Sequence, residues 1–237
     1  MKLRSSALSD IGCLRTENED NSLCDDALQL YAVADGIGGL PGGAQASRRA
    51  LASLQAWFEA HAKDSQPDYT TALREANEAV FALGRQISPR HGIGTTLTLA
   101  HFAHDALHTT HVGDSFMFRL RAGELDTLTT EHNLENEMKA RAARGEPTMV
   151  LHENRAALTR CVGQPPPLDG DHAAHPVETG DRYLICTDGI TRCITPFEIT
   201  RHLADAVEPA QAARSLVDLA RDRGGLDNAT AVVVFVE

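Results

Sequence analysis

Cysteine is scarce in this chain: five residues in 237, at positions 13, 24, 161, 186 and 193, with no Cys-x-x-Cys pair. That count excludes a disulfide framework and a cysteine-rich zinc site, and leaves reduced thiols, several of them core residues. Long apolar runs are missing too. None approaches the roughly 18 to 20 residues of a membrane helix, and Met1-Lys2-Leu3-Arg4-Ser5-Ser6 has no apolar signal-peptide region, so a cytoplasmic protein is expected. Positive charge is in deficit: 22 basic against 33 acidic residues give a net charge of −11. This excludes a nucleic-acid or anionic-membrane surface and favours divalent cations. No internal repeat or low-complexity linker is present, and 42% hydrophobic with 23% charged residues is ordinary for a folded protein. A chain of this length can bury about 75% of its unfolded surface, enough for one large domain over 1–237.

What is present is a sequence of alternating patterns. Strands are predicted at about 5–13 and 28–34, followed by the Gly-rich turn 36–43. Apolar residues then recur at three- and four-residue spacing: Ala50, Leu51, Leu54, Trp57 and Phe58, then Leu73, Ala76, Val80 and Leu83. These predict two helices, at 44–62 and 70–86, that cover one face of a sheet. Short segments rich in β-branched and aromatic residues follow at 95–102, 106–112, 115–121 and 124–128 and read as an antiparallel meander. A helix is predicted at 133–144, an irregular stretch at 145–170, strands at 171–177 and 181–187, helices near 196–204 and 209–223, and a terminal strand. This order implies an α+β fold, two packed antiparallel sheets with helices on the outer faces.

Three apolar stretches meet an aspartate beside Gly or Asn: Tyr31 to Asp35-Gly36, Tyr183 to Asp188-Gly189, and Asp227-Asn228 before Ala229 to Val236. Asp is depleted inside strands, and Gly permits a sharp turn or close backbone approach. Each junction alone could be a hairpin turn. If the three converge, their repulsion is about 4 kcal/mol per pair at 4 Å and an effective dielectric near 20, so a cation or raised pKa values must relieve it. Oxygen ligands without His or Cys favour Mg²⁺ or Mn²⁺ over Zn²⁺, and paired ions of this kind serve phosphoryl transfer.

The motifs extend further: Arg15-Thr16-Glu17-Asn18-Glu19-Asp20, Val33 to Gly39, Gly94-Thr95-Thr96-Leu97, Val112-Gly113-Asp114-Ser115, Glu131 to Leu134, Leu158 to Gly163, Cys186 to Gly189 and Asp227 to Thr230. In that order they resemble the metal-dependent type-2C serine/threonine protein phosphatases in their compact bacterial form. The resemblance implies a four-layer α/β/β/α sandwich and hydrolysis of phosphoserine or phosphothreonine by a metal-bridged hydroxide. It implies two Mn²⁺ or Mg²⁺ ions, with a site for a third. Asp35 then resembles the bridging ligand, with the Gly36 carbonyl on one ion and Asp188 and Asp227 on the other. Asp114 resembles the third-metal ligand, Glu19 and Asp20 the groups that order metal-bound waters, and Arg15 the phosphate-binding arginine. The segment at about 132–163 resembles a flap beside the site. Implied partners are a phosphorylated protein and an opposing bacterial Ser/Thr kinase, within a signalling or secretion-control setting; a monomer is expected.

Three positions depart from common family patterns. Ile37 stands where many eukaryotic members carry His, which excludes an imidazole acid there. Phe116 replaces an Arg after Gly-Asp-Ser, and an Asp often found after the second Asp-Gly is replaced within Thr191-Arg192. The spacing Cys186-x5-Arg192 also mimics a cysteine-dependent phosphatase, but Asp188 would repel a phosphate in that loop. Gly36-x-Gly38 is no dinucleotide fingerprint, because Pro41 occupies its last Gly position. His101, His104, His108 and His111 do not fall on one strand face and read as core or surface residues. A non-catalytic phosphoprotein-binding module is the remaining alternative; loss of ligand carboxylates would mark it, and none is lost.

Overall fold

A computed structural model of the chain describes residues 1–39, 41–64, 66–148 and 154–237. Strands β1 (Leu3–Asp10), β2 (Asp20–Asp25) and β3 (Leu30–Asp35) come first, then helices α1 (Gly43–Ala60) and α2 (Tyr69–Ile87). Strands β4 (Leu97–Ala103), β5 (Ala106–Val112), β6 (Phe116–Arg121) and β7 (Glu124–Thr127) follow, then α3 (Leu134–Ala143). Strands β8 (Asp171–Pro176) and β9 (Arg182–Cys186), helices α4 (Asp188–Thr191), α5 (Pro196–Asp205) and α6 (Pro209–Asp222), and strand β10 (Ala229–Val236) complete the order. They form two five-stranded antiparallel sheets, ordered β1-β10-β9-β6-β7 and β2-β3-β4-β5-β8.

Three apolar layers explain the stacking. Tyr31, Val33, Phe102, Met117, Tyr183, Ile185, Val232 and Val234 meet between the sheets. Leu30, Ala32, Leu97 and Leu99 point the other way, onto Ala46, Ala50, Leu54, Leu73, Ala76 and Val80 of α1 and α2. Leu184, Ala231, Val233 and Phe235 pack against Ile199 and Leu203 of α5 and Ala213, Leu216 and Val217 of α6. Strands β3 and β10 are therefore buried on both faces, which is why they read as unbroken apolar runs. The result is the expected α/β/β/α sandwich.

Two details correct the sequence reading. β2 was not foreseen, because Leu23 is its only large apolar side chain and the rest is Asp, Asn, Ser and Cys. The meander is divided: β5 pairs with β4 and β8 in one sheet, while β6 pairs with β7 and β9 in the other. The switch occurs at Gly113 (φ +113°), where a Cβ would lie 2.6 Å from Thr96 Cβ. A short turn in sequence can close a hairpin or cross between layers, and only packing decides which.

This topology positions the aspartates. β3 and β9 end, β2, β6 and β10 begin, and the Gly113 crossing lies at the same edge of the sandwich. Asp20, Asp35, Asp114, Asp188 and Asp227 occupy that edge.

Candidate active site

Asp35 is held by its backbone. Its N–H donates to Thr96 Oγ1 (2.9 Å), and its carbonyl accepts from Thr96 N (2.8 Å) and Thr95 Oγ1 (2.9 Å). The next residue must be glycine, because a Cβ on Gly36 would stand 2.5 Å from the Gly43 carbonyl at the start of α1. Asp188 is no hairpin turn: it opens the short helix α4, with Thr187 as N-cap. Gly189 lets that helix lie against β10, where any Cβ would overlap the Asn228 carbonyl.

Asn228 ties the far end of the chain to the segment after β1. Its Oδ1 accepts from Glu19 N (2.9 Å), and its Nδ2 donates to Ile11 O (2.8 Å) and Glu17 O (3.1 Å). Arg15 is thereby carried to the cleft, where its Nη2 donates to Asp227 Oδ2 at 2.8 Å. Asp20 pairs with Asp35 across β2 and β3. Its Oδ2 accepts from Thr187 Oγ1 (2.8 Å) and Thr230 Oγ1 (2.7 Å), while its Oδ1 is buried without a partner.

A cleft of about 350 Å³ is lined by Arg15, Glu19, Asp35, Gly36, Asp114, Asp188, Arg192 and Asp227, with Ile37, Ala156 and Leu158 at its side. All the candidate residues except Asp20 thus line it, and Asp20 lies beneath. Burial, then Asp20, Asp188, Asp114 and Asp227, raise the Asp35 pKa well above the ordinary range. Burial, then the charges of Asp114, Asp227 and Asp20, push Asp188 up to about 7, against the opposing pull of Arg192. Asp20 is pushed up to about 6, mainly by burial and against its two threonine hydrogen bonds. Burial also raises Asp114 and Glu19.

Among the described residues, no three His, Cys, Asp or Glu side chains close around one point. Guanidiniums supply the counter-charge instead: Arg192 pairs with Asp188 and, at 3.1 Å, with Asp227 Oδ2, the oxygen that Arg15 also holds. The donors nevertheless fit a hard divalent cation. They are all oxygens, they outnumber the arginines, and Asp188 Oδ1 is a buried carboxylate oxygen without a hydrogen bond.

Arg192 and Asn228 are the residues whose place in the cleft was not foreseen. Arg192 lies four residues after Asp188 on α4, a helical spacing that brings opposite charges together. Asn228 had no readable signal beyond its neighbour. The cysteine alternative fails on geometry. Cys186 is fully buried, and burial, Asp188 and Asp20 raise its pKa, so the thiolate is disfavoured. The four histidines do not share one face, as expected, though His101 and His108 lie opposite each other on β4 and β5: His101 bonds Tyr69, His108 stacks on it, His104 turns a corner, and His111 bonds Thr98.

The segment at about 132–163 is fastened beside this cleft by backbone hydrogen bonds. His132 N donates to Gly113 O and Thr159 N to His132 O, while Thr95 and Val162 exchange both backbone bonds. Its residues 149–153 lie outside the described residues.

A two-sheet sandwich with a carboxylate-lined cleft and arginines at its rim is the arrangement that the resemblance to the metal-dependent protein phosphatases implies. The family model described as protein phosphatase 2C matches residues 15–221, and the chain belongs to that family. The serine/threonine protein phosphatase PstP of Mycobacterium tuberculosis is 33% identical over 99% of this chain and 45% of its own length. The chain thus spans about half of that relative. The structure of PppA, described as a key regulatory component of T6SS in Pseudomonas aeruginosa, matches with a TM-score of 0.84 and 30% identity, covering 100% of this chain and 99% of that one. The PstP catalytic domain in complex with two manganese ions matches at 0.80 and 32%, covering 99% and 98%.

Proposed function

We propose that this chain hydrolyses phosphoserine and phosphothreonine in proteins, using two Mn²⁺ or Mg²⁺ ions and forming no covalent phosphoenzyme. The observation that carries the reading is the cleft in which five carboxylates, Glu19, Asp35, Asp114, Asp188 and Asp227, face Arg15. Asp35, the Gly36 carbonyl, Asp188 and Asp227 would hold the two ions, with Asp114 available to a third. When bound, the ions supply Lewis acidity, which lowers the pKa of water and neutralises phosphoryl oxygens. The manganese-bound PstP domain supports this choice of metal for a relative with the same fold.

The chain's own groups do the rest. Arg15 is partly exposed at the cleft rim and presents a planar fork to two phosphate oxygens once it releases Asp227. Glu19 and Asp20 accept hydrogen bonds from water, Asp20 from a fixed position because Thr187 and Thr230 hold its other oxygen. Ile37 lines the cleft where an imidazole could have donated a proton, and no histidine lines it among the described residues. The leaving alkoxide then takes its proton from water or from a cleft carboxyl group.

The same reading places the protein in a bacterial cytoplasm, as a monomer opposing a Ser/Thr kinase, with the segment at 132–163 shaping substrate choice. No helix among the described residues is long and apolar enough to cross a membrane. The likeness to PppA supports a secretion-control setting.

The test is hydrolysis of a phosphothreonine peptide with Mn²⁺, with a chelator, and after thiol alkylation. Turnover should require the metal and survive alkylation. Activity that persists in chelator and dies on alkylation would overturn the reading in favour of Cys186.

A further inference from the structure

A second hollow, of about 420 Å³, adjoins the cleft, and Ile37 forms part of both walls. Its floor is apolar, with Phe81 of α2, Ile93 and Cys161, and its rim carries Arg85, Arg90 and His91. Among the described residues no acidic side chain lines it, in a chain whose net charge is −11. Arg85 and Arg90 are exposed, and neither has an ion-pair or hydrogen-bond partner among the described residues.

The hollow is also preformed. Ser88 N donates to Gly84 O (2.8 Å) at the end of α2, and Gly92 N to Ser88 O (2.7 Å), closing a tight turn that presents Arg90 and His91. Ile37 N donates to Gly94 O (2.9 Å), fixing the shared wall to the same loop. Gly84 allows α2 to approach that loop, since a Cβ there would stand 3.0 Å from Ile93 N.

We infer that this hollow docks an acidic segment of the phosphoprotein substrate, next to the phosphorylated residue. The inference rests on the phosphatase reading of the neighbouring cleft. A substrate whose phosphate lies at Arg15 must pass its flanking residues over the cleft rim, and the path across Ile37 leads to two guanidiniums without a partner among the described residues, above an apolar floor. Charge complementarity specifies the occupant. The cleft's own carboxylates repel an acidic peptide, and in this adjoining hollow the arginines reverse that repulsion. The apolar floor takes an aliphatic or aromatic side chain alongside.

The experiment compares the wild type with Arg85→Gln/Arg90→Gln on three substrates: a phosphothreonine peptide with an acidic flank, the same peptide with a neutral flank, and p-nitrophenyl phosphate. For the acidic peptide alone, KM should rise about five- to tenfold, the size of two exposed ion pairs, at unchanged kcat. The preference should also fade as salt is raised. Equal losses on acidic and neutral peptides, or no loss on either, would overturn the assignment. Fluorescence anisotropy of the labelled, unphosphorylated acidic peptide provides a second arm. Weaker binding by the double variant supports the docking site even if no metal-dependent hydrolysis is found, whereas unchanged binding counts against it however active the enzyme is.

Discussion

At the scale of single residues, Asp35 carries opposed demands. Burial and four neighbouring carboxylates disfavour its charge, yet its backbone is fixed by Thr95 and Thr96, so it cannot move away. Such a residue is kept for what it binds, and costs the folded chain stability when nothing is bound. Asp35→Asn should lower phosphopeptide turnover by on the order of 10²–10³, the size of a lost electrostatic contact at a reacting centre. The same variant, free of metal, should melt about 2–4 °C higher, because roughly 1 kcal/mol of repulsion is relieved. Wild-type turnover with an unchanged melting temperature would refute the role. Arg192 belongs to the same balance: it pairs with both Asp188 and Asp227.

At the scale of elements, the site is assembled by contacts between ends. α4 lies against β10 through Gly189, and the segment between β1 and β2 is pinned to the start of β10 by three hydrogen bonds to Asn228. Asn228→Ala would leave Glu19 N, Ile11 O and Glu17 O without this partner, at a cost of about 1–3 kcal/mol. It would also loosen Arg15. The expected outcome is a lower melting temperature together with a raised KM for phosphopeptide, measured on the metal-loaded protein; a stability loss without any change in KM would mean that the segment keeps its place unaided. The three hydrogen bonds of Asn228 join positions more than 200 residues apart, so no local pattern announces them. β2 was invisible for a related reason, since one oxygen of its buried Asp20 is held by Thr187, just past β9, and by Thr230 of β10 in the other sheet.

At the scale of the whole molecule, a chain of net charge −11 brings five aspartates to one edge of the sandwich. This links stability to pH. Asp188 is pushed up from its ordinary 3.8 to about 7, so the metal-free folded chain keeps a proton that the unfolded chain releases. Stability from this group is therefore full below about pH 4, falls as pH rises through the interval up to about 7, and is level above it. Asp188→Asn removes that slope. The melting-temperature gap between the metal-free variant and wild type should widen from pH 5 to pH 7 and then stay constant, as followed by circular dichroism. A gap independent of pH would show that Asp188 is already ionised at the acid end.

The sequence by itself determined the strands that are buried on both faces, because β3 from Leu30 to Ala34 and β10 from Ala231 to Val236 are apolar throughout and fill two layers at once. It also determined the helix pairs, from their three- and four-residue spacing, and the aspartates, because carboxylates at the ends of such strands have no packing role. Tertiary structure alone decided which sheet each of β5 and β6 joins, since a glycine turn serves hairpin and crossing alike. It decided that Cys186 is core rather than nucleophile, since exposure is a property of the assembled layers. It also decided that Arg15 and Arg192 share one oxygen of Asp227, because side chains that distant in the chain meet only when the sandwich closes.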